Sequence, residues 1–363
     1  MTHTNGPALR IQRLTIRNYK GIEHLELEFP EPRMPGDPDV FVLGSENGLG
    51  KTSVLECCGL LLIAATTGES ELELADPWYS TAFMPAVVIR AGTEFAEIKG
   101  KLTIAGEAAY VAIQIHPYGS LRIVNHSKRR EILDGKLAWT HSRYFEDSLR
   151  AIWGLYPDPL LESAFISFNS YRKVHEGNPA LGLIADGAGH RSRQLASPDE
   201  FSTSALKIQI LRSMMRRAEL FEREADYQAT QDDSIDKLNS LMATYAGGTI
   251  SRLRPSPDNT VEFRVDPIDG GPPYIFDGLS SGQKEIISTL FLIWYHTRNS
   301  PLVVLIDEPE LHLNAQWHRS FVKTLFSIAP RNQYIMATHS EFVMDSVDAD
   351  RRILLSATPE AVG

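Results

Sequence analysis

The chain has 363 residues, of which 43% are hydrophobic and 23% are charged, and its formal net charge is −10. This composition is that of an ordinary globular protein with ample length for a buried core. With this acidic balance no general affinity for nucleic acid follows from charge alone, so any contact with DNA would need a local basic patch. The two cysteines, Cys57 and Cys58, are adjacent in an apolar stretch. They predict buried thiols in a reducing compartment, not a disulfide or a metal site.

The N-terminal residues 1–8 lack the charged-then-apolar pattern of a signal peptide, and we expect them to be flexible. The longest apolar run, around residues 60–65, is far shorter than a membrane span. We therefore expect a cytoplasmic protein without a membrane partner.

In the first third of the chain, alternating apolar and polar residues over 9–29 predict a β-hairpin with its turn at 17–21. A short buried strand, 39–43, leads into a glycine-rich loop and an apolar helix, 52–66. Short alternating segments between 86 and 124 predict a small antiparallel β layer.

In the rest of the chain, residues 136–155 are predicted to be helical, and 178–198 are predicted to form a mobile loop because they are rich in Gly, Ala and Asp. Residues 201–246 have helical spacing with an interruption near Asp232, which predicts two helices. The remaining predicted elements are strands from 249 onward, helices at 283–297 and 315–328, and buried strands at 301–306 and 333–338.

The glycine-rich loop has the composition needed to hold phosphate. Gly48 and Gly50 allow successive N–H groups to turn inward, and the positive end of the following helix adds to the attraction. Lys51 is expected to reach the terminal phosphates, and the Thr52 hydroxyl to ligand Mg²⁺. The usual pattern has glycine where this chain has Ser45, a change that we expect the loop edge to tolerate. The predicted nucleotide-binding residues here are Ser45, Glu46, Asn47, Gly48, Leu49, Gly50, Lys51, Thr52 and Ser53.

A pair of acids ends the strand 302–306, where two carboxylates are costly unless a cation or a water uses them. We predict that Asp307 holds Mg²⁺ and that Glu308 polarises the water that attacks the γ-phosphate of ATP. His339, at the end of the next buried strand, is predicted to sense the γ-phosphate. The simpler alternatives are solvated acids at a strand end and a structural histidine.

A third segment, Leu279–Gln283, precedes a helix and offers a second anion-binding cradle. The first loop already surrounds the phosphates on one side, so this segment is most useful when a second copy of the chain presents it. We therefore predict an ATP sandwich in a homodimer. The alternative is a plain helix N-cap. The residues predicted to contact ATP are Ser280, Ser281, Gly282 and Gln283.

Together, these segments resemble the ATP-binding-cassette (ABC) ATPases of the structural-maintenance-of-chromosomes (SMC) and RecF group. The nearest variety resembles the OLD-like (overcoming lysogenization defect) ATPases of bacterial anti-phage systems. Asp307–Leu313 matches that variety's Walker B motif and following loop. Residues 14–22 resemble its opening hairpin, which implies that Arg17 and Lys20 lie near the nucleotide. The similarity spans residues 9–355.

The chain departs from this pattern at Ser281, which replaces a glycine, and at Asn314-Ala315, which stand where such proteins often have His-Pro. The glutamine that normally ligands Mg²⁺ has two candidate positions, Gln114 and the stretch 167–172.

The resemblance implies an α/β P-loop NTPase fold, namely an ABC-type ATPase head with a mixed parallel sheet, an antiparallel β layer and a helical insert. A single head would cover 9–363, with an N-terminal lobe at 9–135, a helical lid or insert at 136–248 and a C-terminal lobe at 249–363.

The implied function is an ATPase that dimerises head-to-head on ATP and switches a separate effector, a nuclease or a toxin, in prokaryotic anti-phage defence. A separate effector is expected because we find no Toprim nuclease domain after residue 355. The alternatives are a RecF-like DNA-binding ATPase of replication or repair and a slow-turnover ATP-binding scaffold. Residues 128–130 and Arg212, Arg216 and Arg217 are candidate contacts for DNA or a partner, although a solvated surface is the simpler interpretation.

Overall fold

The structure is a computed structural model that describes residues 7, 9–34, 36–45, 49–66, 70–73, 87–117, 120–125, 148–149, 151–153, 159–161, 164–172, 174, 178–179, 204–217, 233–256 and 260–355. The chain divides into two compact units, one formed by residues 1–172 and 296–363 and the other by 173–295. This division differs from the three lobes expected from the sequence, because the segment 279–283 groups with the insert and not with the strand that ends at Asp307.

In chain order the described elements of the first unit are β1 (Leu9–Tyr19), β2 (Ile22–Glu28), β3 (Asp39–Ser45), α1 (Lys51–Thr66), β4 (Ser70–Glu73), β5 (Ala96–Ile104), β6 (Glu107–Ile115), β7 (Ser120–Asn125), β8 (Leu160–Leu161) and β9 (Phe165–Phe168). The second unit contains α2 (Ala205–Arg217), α3 (Ser234–Ala246), β10 (Gly248–Pro255), β11 (Val261–Pro267), β12 (Tyr274–Ile275) and most of α4 (Ser281–Thr297). The chain then returns to the first unit with β13 (Val303–Asp307), α5 (Ala315–Ile328), β14 (Gln333–Thr338), α6 (Glu341–Met344) and β15 (Arg352–Leu355).

A mixed sheet in the order β15-β3-β14-β13-β9-β8 forms one layer of the first unit. All its neighbouring pairs are parallel except β8–β9. Every residue of β13 and β14 is buried, as the uninterrupted apolar runs predict for strands covered on both faces. Ala337 lies opposite both Leu43 and Asp307, so β3, β14 and β13 end at the same edge.

An antiparallel sheet in the order β2-β1-β5-β6-β7-β4 forms the other layer and confirms the predicted β layer. The helix α1 contacts strands of both sheets and is buried almost throughout, which explains why its sequence is apolar on every side. Cys57 and Cys58 are fully buried on it. Burial raises the pKa of both thiols, as expected of core residues.

The first strand of the opening hairpin is longer, and its turn shorter, than the sequence indicates. β1 continues to Tyr19, which pairs directly with Ile22, so the turn consists of Lys20 and Gly21 alone. Arg17 is therefore a strand residue, opposite His24 on one side and Glu97 on the other. The predicted turn at 17–21 is wrong for residues 17–19, because they belong to β1 and only Lys20 and Gly21 connect the two strands.

In the second unit, α2 and α3 confirm the two helices predicted over 201–246. α3 ends at Ala246 and is capped by Gly247, whose φ is +66°. β10 follows at once and belongs to a three-stranded antiparallel sheet in the order β10-β11-β12. The predictions for residues 128–130, and for most of 136–155 and 178–198, lie outside the described residues. Arg212 is half-buried on α2, whereas the side chains of Arg216 and Arg217 lie outside the described part.

Candidate nucleotide-binding site

The candidate site lies at the edge of the mixed sheet where the parallel strands end. β3 leads there into the phosphate loop, β14 into His339, β13 into Glu308 and β9 into Asn169. Ligands of open α/β sheets bind outside the carboxyl ends of such strands. Residues distant in sequence therefore meet at this edge.

The phosphate loop is described in part. Glu46, Asn47 and Gly48 lie outside the described residues, and of Ser45 only the backbone, as the last residue of β3, is described. Gly50 has a φ of +88°, and a Cβ added there would lie 3.1 Å from the Ile22 side chain. The left-handed backbone at position 50 favours glycine, and the Ile22 side chain of the hairpin leaves little room for a Cβ there. Leu49 is half-buried beside it, and Ser53 is buried on α1.

Lys51 is the first residue of α1 and is only 6% exposed. Its Nζ lies 3.4 Å from Nδ1 of His339. Burial lowers the pKa of Lys51, while the carboxylates of Asp307, Glu308 and Glu310 oppose this shift. A buried ammonium at a helix N-terminus is well suited to an anionic ligand.

Thr52 and Asp307 lie in direct contact, with the threonine hydroxyl donating to the carboxylate at 2.9 Å. Burial raises the pKa of Asp307 to about 6, and the hydrogen bond from Thr52 opposes the shift. A bound cation would favour the ionised form of this buried group. Among the residues that the structure describes, no cluster of three or more His, Cys, Asp or Glu could hold a metal by itself. One hydroxyl and one carboxylate nevertheless fit Mg²⁺ in a phosphate site, because it usually keeps waters and phosphate oxygens as its other ligands.

Glu308 follows β13 with a left-handed φ of +48°. Its N–H donates to the carbonyl of Ala337 on β14 at 2.8 Å, and its carboxylate lies 3.8 Å from Nε2 of His339. The main-chain N–H of His339 donates in turn to Glu310 at 2.7 Å. Sequence reasoning did not give Glu310 a role, although its place beside the acidic pair was visible in the motif.

Of the two candidate positions for the missing glutamine, the stretch 167–172 is the one beside Asp307. β9 pairs with β13, and a side-chain hydrogen bond from Ser170 opposes the rise in the pKa of Asp307. Gln114 lies in β6, where its amide donates to Glu97 at 2.8 Å.

The basic residues of the hairpin have other partners in this structure. Nζ of Lys20 lies 2.7 Å from Glu56 on α1, which also accepts a hydrogen bond from the Tyr19 hydroxyl at 2.9 Å. Burial raises the pKa of Glu56, and the charge of Lys20 opposes that rise. Arg17 is exposed. Burial alone would raise the pKa of Glu97, but hydrogen bonds from Lys99 and Gln114 and the charges of Lys99 and Arg17 lower it. The predicted contact of Arg17 and Lys20 with nucleotide stays a prediction.

The segment 279–283 lies in the second unit and has the geometry of a capping box. The N–H of Ser280 donates to the Gln283 side chain at 3.0 Å, and the N–H of Gln283 donates to the Ser280 hydroxyl at 3.3 Å. Ser280 and Ser281 are exposed, whereas Gly282 is buried. The helix N-cap considered as the alternative is thus present, and the exposed serines still leave the helix start open to a ligand.

The turn before this segment is fixed from α2. The fully buried Lys207 reaches both carboxylate oxygens of Asp277, at 2.6 and 2.8 Å. Sequence reasoning missed this pair, since no motif marks a lysine that is buried seventy positions from its partner.

In the part of the chain that the structure describes, we find no helix that combines the length and the apolar character needed to cross a membrane.

The fold and the clustered lysine, threonine, acids and histidine are those of a P-loop ATPase domain. Two family models match the chain: the one described as "AAA domain" over residues 13–244, and the one described as "AAA domain, putative AbiEii toxin, Type IV TA system" over residues 161–345. The chain belongs to this AAA-domain family.

Similar proteins agree with this assignment. The chain is 26% identical over 153 residues to the retron Vc95 probable ATPase of Vibrio cholerae serotype O1 biovar El Tor; the match covers 37% of this chain and only 28% of that relative's length. An SMC head bound to the C-winged helix domain of ScpA superposes with a TM-score of 0.53 at 15% identity, covering 93% of both chains. A Pyrococcus furiosus SMC head with an extended coiled coil, bound to the C-terminal domain of ScpA, gives a TM-score of 0.52 at 13% identity and covers 94% of this chain and 92% of that one. At these identities the two structures show the fold alone.

Proposed function

We propose that this protein hydrolyses ATP in a sandwich formed by two copies of the chain, and that the resulting cycle switches a separate effector, a nuclease or a toxin, in prokaryotic anti-phage defence. The observation that carries the proposal is the meeting of Lys51, Thr52, Asp307, Glu308 and His339 at one sheet edge, although they come from three distant parts of the sequence.

Each residue has a distinct task in this proposal. Lys51 and the loop amides bind the phosphates, and Thr52 with Asp307 would hold Mg²⁺, which neutralises phosphate charge when it is bound. Glu308 accepts the proton of the attacking water, and His339 orients the γ-phosphate. The 3.8 Å between Glu308 and His339 supports their joint action on one group.

The dimer is proposed because Ser280 and Ser281 are exposed at the start of a helix, where N–H groups favour an anion. The loop that includes Lys51 supplies the other face of the nucleotide. Because the two faces belong to different copies, binding of ATP would close the dimer and hydrolysis of ATP would open it.

The defence role rests on the relatives. One matching family is described by an AbiEii toxin of a type IV toxin–antitoxin system, and one relative is a retron ATPase. We place the chain nearest the OLD-like variety on the strength of Asp307–Leu313.

The test is the Glu308→Gln variant. We expect it to bind ATP normally, to hydrolyse it at least about 100-fold more slowly because the proton acceptor is lost, and to accumulate ATP-dependent dimers in light scattering. Turnover equal to that of the parent would refute Glu308 as the base. ATP-dependent dimers with the turnover of the parent would support the two-copy site but refute Glu308 as the proton acceptor. Isolating the native complex and weighing its components would reveal a nuclease or toxin, and a complex of this chain with duplex DNA alone would refute the effector.

A further inference from the structure

A buried arginine next to the acidic pair has no role in the chemistry above. Arg172 is 5% exposed and follows the stretch that begins with β9. Its guanidinium donates to the main-chain carbonyls of Asn169 at 2.9 Å, of Glu308 at 2.8 Å and of Asp307. Burying a guanidinium is costly unless its N–H groups are satisfied. Nη1 and Nη2 donate to the main-chain carbonyls of Asp307, the last residue of β13, and of Glu308, which follows it.

The backbone that Arg172 holds is unusual. Glu308 has a φ of +48°, a conformation that residues other than glycine adopt rarely and at a cost. Its N–H donates to the Ala337 carbonyl on β14, and its carbonyl accepts hydrogen bonds from Arg172 and from the N–H of Leu311, the latter at 3.0 Å. The peptide groups on both sides of the Glu308 Cα are therefore fixed from neighbouring strands. These contacts hold the backbone from which the Glu308 side chain projects just beyond β13.

We propose that Arg172 is a positioning residue for Glu308: by holding the carbonyls of Asp307 and Glu308, it keeps the left-handed backbone that aims the Glu308 carboxylate at the attacking water. The inference rests on the proposed ATPase function. Lysine cannot replace the guanidinium here, because a single ammonium does not span two consecutive carbonyls as a planar fork does.

The chain offers a matched control. Arg351 is 6% exposed in the same unit, and its guanidinium donates to the consecutive carbonyls of Pro30 at 2.7 Å and Glu31 at 2.9 Å. It makes the same kind of contact on a loop before the amino end of β3, away from the nucleotide edge. Its variants report the effect of removing a buried arginine without disturbing Glu308.

The experiment compares steady-state ATP hydrolysis of Arg172→Lys and Arg172→Met with that of Arg351→Lys and Arg351→Met. We expect kcat to fall by about 10- to 100-fold in the Arg172 variants, because misplacing a reacting group by about 1 Å has an effect of this size. The KM for ATP and the affinity for a non-hydrolysable analogue should change less than about threefold. The Arg351 variants should lose similar thermal stability and keep kcat within about twofold. Equal kcat losses in both pairs, or no loss in the Arg172 pair, would overturn the proposal.

A second measurement separates positioning from damage. In the Glu308→Gln background, Arg172→Lys should lower the residual turnover little further, since it acts through a group that is already removed. An additive loss would mean that Arg172 acts elsewhere. If Arg172→Met does not fold, Arg172→Lys alone and in the Glu308→Gln background still test the positioning role. A parent protein that hydrolyses no ATP would refute the proposed function itself, whereas an active parent with unaffected Arg172 variants would refute only the positioning role.

Discussion

The hydroxyl of Thr52 donates to the carboxylate of Asp307 at 2.9 Å across 255 positions of sequence. The contact joins the first turn of α1 to the end of β13, and it brings together the hydroxyl and the carboxylate that we propose as ligands of Mg²⁺. Burial raises the pKa of Asp307 to about 6, because the ionised carboxylate is poorly solvated there. A bound cation would therefore stabilise the ionised form of Asp307.

Asp307→Asn tests this pair. The amide can still accept the Thr52 hydrogen bond, but it carries no charge. We expect the Mg²⁺ concentration needed for half-maximal ATP binding to rise by about 10- to 100-fold. Titration of Mg²⁺ at fixed ATP measures it. Asp39→Asn, a buried acid at the opposite end of β3, is the control, and an equal shift in both variants would contradict the assignment.

Lys51→Ala tests the phosphate loop. Removing a buried ammonium that faces a phosphate should weaken ATP binding by about 100-fold, the equivalent of one strong charge-assisted hydrogen bond. Equilibrium binding of a fluorescent ATP analogue measures the loss. The exposed Lys323 supplies the control, Lys323→Ala, which should bind like the parent. Retained affinity in Lys51→Ala would rule out the loop as the phosphate site.

Ser280→Arg tests catalysis across an interface. The substitution removes the N-cap hydrogen bond from the Gln283 N–H, at a cost of about 1 kcal/mol that should not unfold the chain. The exposed position has room for the larger side chain, and the arginine blocks the helix start to a second copy. We expect monomers that bind ATP as the parent does and whose turnover falls to background in a phosphate-release assay. Ser300→Arg changes an exposed serine in the loop before β13 and should have no effect. Unchanged turnover in Ser280→Arg would refute the two-copy site.

Lys20→Met tests the ion pair with Glu56 through its pH dependence. Burial raises the pKa of Glu56, so its contribution to the free energy of unfolding is present below the pKa of the unfolded chain and is lost as the pH rises through the folded value. Removing Lys20 raises the folded pKa further. The variant should match the parent near pH 4 and lose about 2 kcal/mol by pH 8, less than a fully buried pair would, because Lys20 is partly exposed.

Urea unfolding at several pH values measures this difference. Lys99→Met breaks the pair between the exposed Lys99 and the buried Glu97. Because water screens the lysine, the effect should be less than about 1 kcal/mol. A Lys20→Met deficit that stays constant with pH would contradict the coupling to Glu56. Binding of ATP to the same variant shows whether Lys20 also reaches the nucleotide.

Patterns of neighbouring residues predicted much of this molecule. The helix 315–328 and the strand 333–338 have the bounds that their periodicity indicates, and the phosphate loop was marked by its glycines, lysine and threonine. These features are local, since a run of apolar residues or a glycine turn has the same preference in any fold. The hairpin turn was placed too early, because cross-strand pairing to Tyr19 outweighed the polar character of residues 17–19.

The sequence by itself determined which residue types stand in the order that is typical of a nucleotide site, and so which groups could meet a phosphate or a cation. Only the tertiary structure decided which groups share the site: parallel pairing of β9, β13, β14 and β3 aligns their carboxyl ends, and only then do Thr52 and Asp307 touch. The same alignment brings Arg172 to the carbonyls of Asp307 and Glu308. The physical reason is that strand order and register are set by the burial of whole sheet faces, which no short segment of the chain encodes.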